Sequence, residues 1–276
     1  MRPVPDIARR YDLHLHTVRS DGRFSAEEVL ERCAAGGLEV VAVTDHDLPS
    51  DIAPGRHRFG SRELHLVAGT ELSGVHQGEE YHLLVYFPWE VPTAFRDLCR
   101  QLARARARRY EQGRASLGLD GVPPAGPVAS SGDRALTRHH LARALVAAGH
   151  TPSVGSAFSH YLGDEHGHVP PVELPFVEAI RFARSQGGLT AWAHPPLQAA
   201  QRCLSTFVQA GLQGVEVYRP RLSRRSGRGL LRLARQWGLW ATGGSDWHGW
   251  HDPELGLFSV EPQQVGSFLE ALHRAA

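Results

Sequence analysis

Short apolar runs recur along the chain: Tyr11 to Leu15, Glu39 to Thr44, His65 to Thr70, Tyr81 to Phe87, Leu189 to Ala193 and Leu239 to Ser245. Apolar runs of this length between turn-forming residues read as buried strands. Stretches with helical periodicity fall between them. Ser25, three residues before Glu28, predicts a capping box and a helix to about Ala35, with Gly36-Gly37 as its stop. From Pro175 the pattern repeats: a helix to Ser185, strand 189–193, a helix near 198–210, strand 214–218, a helix near 225–237 and strand 239–245. Alternating strand and helix predicts a parallel sheet covered by helices, an α/β architecture.

Between about Thr93 and His166 the alternation stops. An arginine- and alanine-rich helix (Phe95 to Ala115) precedes a Gly/Pro-rich loop (Gly118 to Gly132) and two short helical patterns near 138–148 and 153–162. We read 1–92 and 167–276 as two parts of one barrel, and 93–166 as a helical insertion into it.

The chain has 276 residues, 42% of them hydrophobic, enough for one barrel with an appendage. No apolar run is long enough to cross a membrane, and Met1 to Pro5 lack the apolar core of a secretory signal, so the expected compartment is the cytoplasm. Cys33, Cys99 and Cys203 lie far apart in helical patterns and read as buried free thiols. All 30 basic residues are arginine, and the net charge of +1 argues against a general nucleic-acid coat protein while allowing a local phosphate site.

Histidines and carboxylates cluster at the ends of the predicted strands: His14, His16, Asp21, Asp45, His46, Glu71, His82, His194, Asp246 and His248. In a barrel, residues at the carboxyl ends of different strands converge on one face. His14 and His16 are two residues apart and share a face of their strand, a spacing that Asp246 and His248 repeat. Imidazole and carboxylate donors suit Mn²⁺, Fe²⁺ or Zn²⁺, and the nine of these residues other than Asp45 exceed the needs of one ion. Two or three ions about 3.5–4 Å apart would equip the site for phosphoester hydrolysis without a side-chain nucleophile.

His14-Leu15-His16-Thr17, Ser20-Asp21-Gly22, Thr44-Asp45-His46, Glu71, His82, Ala193-His194-Pro195 and Gly244-Ser245-Asp246-Trp247-His248 resemble the successive motifs of the PHP (polymerase and histidinol phosphatase) superfamily. Thr137 to Arg143, Tyr161-Leu162 and Val169-Pro170 resemble its branch of nucleoside 3′,5′-bisphosphate phosphatases and 5′-to-3′ exoribonucleases. The resemblance implies a distorted (β/α)7 TIM-like barrel with a trinuclear centre, manganese being the expected metal. His14, His16, Glu71 and Asp246 would hold one ion, Glu71, His82 and His194 a second, and Asp21, His46 and His248 a third. Asp45, Asp246 and His248 would carry the catalysis, with Asp45 either orienting an imidazole or shaping the turn that bears His46. Two positions depart from the pattern. Pro196 replaces a glycine after His194-Pro195, and Trp247 stands where the branch often has Phe.

The implied reaction is hydrolysis of a nucleotide phosphate ester, a 3′,5′-bisphosphate or a short 5′-phosphorylated RNA. Arg138 is the expected phosphate contact because a guanidinium matches phosphate oxygens and this one starts a helix; His139 or His140 would assist. The helix carrying Arg104, Arg106, Arg108, Arg109 and Arg114 reads either as a solvated face or as a contact for a second phosphate or an RNA backbone, with Arg106 and Arg109 as substrate-binding candidates. One alternative is a histidinol-phosphate or other small phosphomonoesterase, although relatives of that kind usually carry His at the position of Asp21 and lack the insertion. Another, of a different class, is a non-catalytic metal-binding module.

Overall fold

The structure, a computed structural model, describes residues 10–122 and 134–275. The reading of the amino terminus and most of the loop expected at 118–132 lie outside these residues. One sheet contains β1 (Tyr11–Leu15), β2 (Val40–Val43), β3 (Gly55–Phe59), β4 (Arg62–His76), β5 (Glu79–Phe87), β6 (Leu189–Trp192), β7 (Gly214–Tyr218) and β8 (Trp240–Gly243). Seven strands follow the order β1-β2-β4-β5-β6-β7-β8, and β3 pairs with the start of β4.

The sheet is not wholly parallel. β5 runs antiparallel to both β4 and β6, while the other strands on the path share one direction. The reversal follows from a two-residue turn, Gln77-Gly78, in which both φ angles are positive, 52° and 82°. That is the hairpin geometry that matches strand twist. The turn carries Gln where Asn or Asp is the recognisable signal, so the sequence pattern did not reveal it. Because β5 runs backwards, its first residues, including His82, lie at the same end as the last residues of β4; Ser73 pairs with His82.

The edge strands β1 and β8 meet through the segment that follows β8. Asp246 N donates to His14 O (3.0 Å) and His16 N to Trp247 O (3.0 Å), in place of a full ladder. Gly244 permits this approach, since a Cβ there would sit 2.4 Å from Cβ of His14. The result is a distorted barrel.

Helices α1 (Ala26–Ala35), α5 (Phe176–Ser185), α6 (Leu197–Gln209) and α7 (Arg224–Gln236) form close to their expected positions, and the Ser25/Glu28 capping box of α1 is present. A further helix at the end of the chain, α8 (Pro262–Ala275), joins residues of β1, β2, β4, β5, β6 and β8 in one apolar cluster. It was not anticipated, although Val265, Phe268 and Leu272 keep helical spacing after Pro262.

In the 93–166 segment, α2 spans Thr93–Ser116 and α3 Arg138–Ala147. The helix expected near 153–162 is broken into α4 (Val154–Ala157) and a π-helical turn, Phe158–Leu162. The first half of α2 (Phe95, Cys99, Ala103) packs into the main core, whereas Tyr110 joins Leu141, Leu145 and Leu162 in a separate small core. The three cysteines are buried and free, as expected. Among the described residues no helix is long and apolar enough to cross a membrane.

Candidate metal centre

Six strands, β1, β2, β4, β5, β6 and β8, contribute to a single cluster on one face of the barrel. His14 lies in β1 and His16 just beyond it, Asp21 in the following loop, His46 after β2, Glu71 in β4, His82 in β5, His194 after β6, and Asp246 and His248 after β8. All nine expected ligands converge. Glu71, fully buried, is the hub: Oε2 lies 3.0 Å from His46 Nδ1 and 3.4 Å from Nε2 of both His14 and His16, while Oε1 lies 3.1 Å from His82 Nδ1 and 3.0 Å from His194 Nε2. Asp246 Oδ1 faces His16 Nε2 at 3.1 Å, and Asp21 Oδ1 faces His248 Nε2 at 3.3 Å.

Three groups of donor atoms are close enough to surround an ion: His14, His16 and Asp246; His46, Glu71 and His82; and His16, Asp21, His46 and His248. His46 directs Nδ1 to Glu71 and Nε2 to Asp21, so it sits between the second and third groups rather than in the third alone. His194 is in none of the three groups but adjoins the second, its Nε2 lying 3.0 Å from Glu71 Oε1 and 3.4 Å from His82 Nδ1. His194 and Asp246 adopt left-handed backbone (φ 32° and 54°), a local cost that fits a functional constraint.

The donor set fits divalent cations. His14 Nε2, His16 Nε2, His46 Nδ1, Asp21 Oδ1 and Glu71 Oε2 are buried and, although they face other members of the cluster at 3.0–3.4 Å, make no well-directed hydrogen bond among the described residues. Five such atoms turned to one space would be destabilising unless a ligand satisfies them. Electrostatics agree. Burial alone would discharge His82 and His248, yet Glu71 beside the first and Asp21 beside the second raise both to about 10. Glu71 and Asp21, although desolvated, are held well below the carboxylate range by the surrounding imidazoles. His16 is lowered to about 4 by burial and by His248.

Two carboxylates behind the ligands were not anticipated. Glu216, in the middle of β7 and fully buried, meets His14 Nδ1 at 2.9 Å and accepts the His194 main-chain N–H at 2.7 Å. It therefore orients an imidazole through the nitrogen that faces away from the cluster. Its signal was a charged residue alternating with Val215 and Val217 in a buried strand. Asp12 accepts Ser245 N (2.8 Å), bracing the segment that carries Asp246, and burial raises it to about 7.

Asp45 corrects an expectation. Its carboxylate accepts Thr17 N (2.8 Å), Thr17 Oγ1 (2.6 Å) and Ser20 Oγ (2.5 Å), so it staples the loop that bears Asp21 instead of orienting an imidazole. Trp247 packs against Phe24, with ring centroids 5.7 Å apart, and donates to Pro253 O, which makes it a packing residue. Pro196 starts α6 in extended geometry, with its carbonyl accepting from Ala200 N.

Beside the cluster lies a cavity of about 160 Å³ whose lining includes Asp21, His82, Glu80, Arg109, Arg138 and His139. The 93–166 segment is held over it by Thr137, whose Oγ1 donates to Asp21 Oδ2 (2.8 Å), and by Arg143, which lies 3.6 Å over the ring of Trp250, itself donating from Nε1 to Asp21 O (2.7 Å). Glu80, another residue not anticipated, brings Arg109 and Arg138 together, its Oε2 lying 3.4 and 3.5 Å from their Nη2 atoms. Two substrate-contact expectations need correction. His140 is taken up as a helix cap, accepting Thr137 N at 3.0 Å and facing Arg134 at 2.7 Å, and burial lowers it to about 3; His139 faces the cavity instead. Arg106 reaches the cavity wall, but it is buried in an ion pair with Asp47 and donates to Ser73 Oγ.

No family model matches the chain. Over 253 residues it is 32% identical to the 5′-3′ exoribonuclease Rnm of Escherichia coli K12, covering 86% of this chain and 85% of that one. It is 27% identical to the 3′,5′-nucleoside bisphosphate phosphatase of Chromobacterium violaceum, over 86% of each. A solved structure from Bifidobacterium adolescentis, described as a metal-dependent phosphoesterase, superposes with a TM-score of 0.76 at 26% identity and 98% coverage of both chains. The fold, the converging ligands and this likeness agree: the chain belongs to the PHP superfamily of metal-dependent phosphoesterases, in the branch of the Rnm exoribonuclease and the nucleoside bisphosphate phosphatases.

Proposed function

We propose that the protein hydrolyses phosphate esters of nucleotides, nucleoside 3′,5′-bisphosphates and short 5′-phosphorylated RNA, at a centre of three divalent ions, with manganese as the working metal. The supporting observation is the juxtaposition of five buried donor atoms, turned to one space without a well-directed hydrogen bond, with a cavity that presents Arg109, Arg138 and His139. In this reading one ion takes His14, His16 and Asp246, the second Glu71, His82 and His194, and the third Asp21 and His248, with His46 between the last two. Divalent ions, when bound, supply an activated water and neutralise charge building on the phosphoryl oxygens.

The protein's own groups do the rest. Glu216 holds the His14 ring and the His194 main chain in place. Arg138 and Arg109 receive a substrate phosphate not itself under attack, their guanidinium forks matching its oxygens. Glu80 keeps the two forks side by side before substrate arrives. His139, lowered by burial, enters the cavity as a neutral hydrogen-bonding group at neutral pH. The insertion acts as the cap on the site. The three buried thiols suit a reducing compartment, the cytoplasm.

The test is product analysis with metal-free and Mn²⁺-loaded protein on adenosine 3′,5′-bisphosphate and a 5′-phosphorylated RNA. Metal-dependent release of phosphate and AMP is expected, with mononucleotides from the RNA. Turnover of histidinol phosphate in preference to both would move the reading to a small phosphomonoesterase, and metal uptake without turnover of any phosphate ester would overturn it.

A further inference from the structure

One strongly charged surface lies outside the metal centre. Arg224, Arg225, Arg228, Arg232 and Arg235 of α7 are all exposed, and among the described residues none pairs with a carboxylate. Thirty basic residues balance 29 acidic ones in this chain, so five unpaired arginines on one 13-residue helix are a local concentration of charge. The apolar side of the helix is already in use, with Leu230 and Ala234 buried and Leu231 and Leu233 packed on the core. It has no apolar face left to lay into a lipid surface, and what it offers outward is a row of guanidinium groups about 20 Å long.

This row is continuous with the metal centre. A cavity of about 260 Å³ opens beside Asp246 and is lined by Arg219 and Arg221; a second, of about 340 Å³, is lined by Tyr218, Arg219, Arg224 and Arg228, and Phe258 borders both. The first shares no lining residue with the cavity at Arg138, so it reaches the metals from another side. Polar groups along the path lack partners: Arg219 donates to Pro195 O through Nη2 (3.2 Å), but its buried Nε has no hydrogen bond, nor has Ser245 Oγ next to Asp246. Of the other carboxylates lining the first cavity, Asp252 is engaged, its Oδ2 accepting the main-chain N–H groups of His248 (3.0 Å) and Gly249 (2.9 Å), Asp12 accepts Ser245 N, and Glu254 is exposed at the outer rim.

We propose that this groove, from Asp246 past Arg219 and Arg221 onto the arginine row of α7, holds the backbone of a single-stranded RNA beyond the nucleotide under attack. Guanidinium groups suit phosphodiesters, and the rings of Tyr218 and Phe258 offer surfaces on which bases stack. The inference rests on the nucleotide reading above and adds the path of the strand.

The experiment compares the Mn²⁺-loaded wild type with Arg224→Gln/Arg228→Gln/Arg232→Gln, which changes only exposed side chains, and with the triple Lys variant. The substrates are adenosine 3′,5′-bisphosphate and a 5′-phosphorylated RNA of about 12 nucleotides. For the Gln variant the RNA KM should rise by roughly 10-fold or more while the mononucleotide kinetics stay put. The slope of log kcat/KM against log salt should flatten by about 2, roughly 0.7 for each phosphate contact removed. The Lys variant should keep most of the RNA activity. Unchanged RNA KM and salt slope, or an equal loss on the mononucleotide, would overturn the proposal. So would loss of binding to phosphatidylserine vesicles with RNA kinetics intact, which would assign the surface to a membrane. If the wild type hydrolyses neither substrate, the nucleotide reading falls by itself. RNA binding by fluorescence anisotropy then decides the groove, and absent or equal binding by wild type and variant counts against it.

Discussion

Helices α2 and α7 carry the two arginine-rich stretches of the chain and use the same side chain in opposite ways. In α2, Arg106 is buried against Asp47, Arg109 donates to Pro170 O and faces Glu80, and Arg114 pairs with Glu111; only Arg104 and Arg108 of its central arginines stand exposed without partners. In α7 every arginine is exposed and, among the described residues, unpaired. The sequence alone leaves α2 open between a solvated face and a phosphate contact and assigns no role to the arginines of α7. Packing separates the two helices. What decides whether an arginine is available to a ligand is the carboxylate folded against it, and Asp47 and Glu80 come from the distant β2–β3 segment and from β5.

The contrast breaks first, and most severely, at Arg106. Arg106→Met removes one member of a buried pair and leaves the Asp47 carboxylate without its partner, which typically costs about 3–5 kcal/mol. Urea denaturation of the metal-free protein should show a loss in that range. A loss below about 1 kcal/mol would mean that Arg106 is a free cation like those of α7.

Next in size is the response to metal, which tests the charge lying between the two helices. In the metal-free protein His82 and His248 are raised to about 10 from 6.5, so the stability they contribute is fully present below about pH 6.5 and is lost as pH rises through 10. Glu71 and Asp21 work in the other sense: their contribution is present above their ordinary values of 4.5 and 3.8 and disappears on acidification. Metal must displace the histidine protons, so its affinity rises with pH. At 100-fold excess over its Kd, metal adds about 2.7 kcal/mol. The Tm gap between Mn²⁺-loaded and metal-free protein should therefore widen from pH 6 to pH 9, and a gap that narrows over this interval would contradict the protonated cluster.

Arg138 gives the third case, a partly exposed arginine beside a cavity. Arg138→Ala should lower kcat/KM for the preferred phosphate by roughly 10- to 100-fold, the worth of a charge-assisted hydrogen bond of about 1.5–3 kcal/mol. The thermal midpoint should barely move, in contrast to Arg106→Met. Unchanged KM and turnover would remove Arg138 from the binding site and leave Arg109 of α2 as the remaining guanidinium contact.

The ligand set was legible because its members are polar residues at the ends of apolar runs, and strand ends on one barrel face must converge. The groups that position them were harder to see. Glu216 sits inside a strand that otherwise reads as core, and Glu80 is one of two adjacent glutamates with nothing local to distinguish them. The fold was legible in its alternating halves and was missed at β5, where Gln77-Gly78 makes a hairpin turn without the usual Asn or Asp. His139 and His140 looked equivalent until Thr137 took the second as its capping partner. In each of these cases the deciding contact is tertiary or depends on backbone geometry that side-chain type only weakly encodes.

The smallest effect is expected at a single arginine of α7, and it completes the comparison with Arg106. Arg228 is exposed, has no ion pair and stands on the outer face of its helix. Arg228→Gln keeps a good helix former, so stability should change by no more than about 0.5 kcal/mol. If Arg228 meets one phosphate of a bound strand, the salt slope for RNA should flatten by about 0.7, while the mononucleotide reaction at the same salt concentrations stays as it was. A measurable loss of stability would show that Arg228 supports the fold, as Arg106 does. A flat stability with a shifted salt slope would show that helices of similar composition divide the work: α2 holds the site together, and α7 faces the substrate.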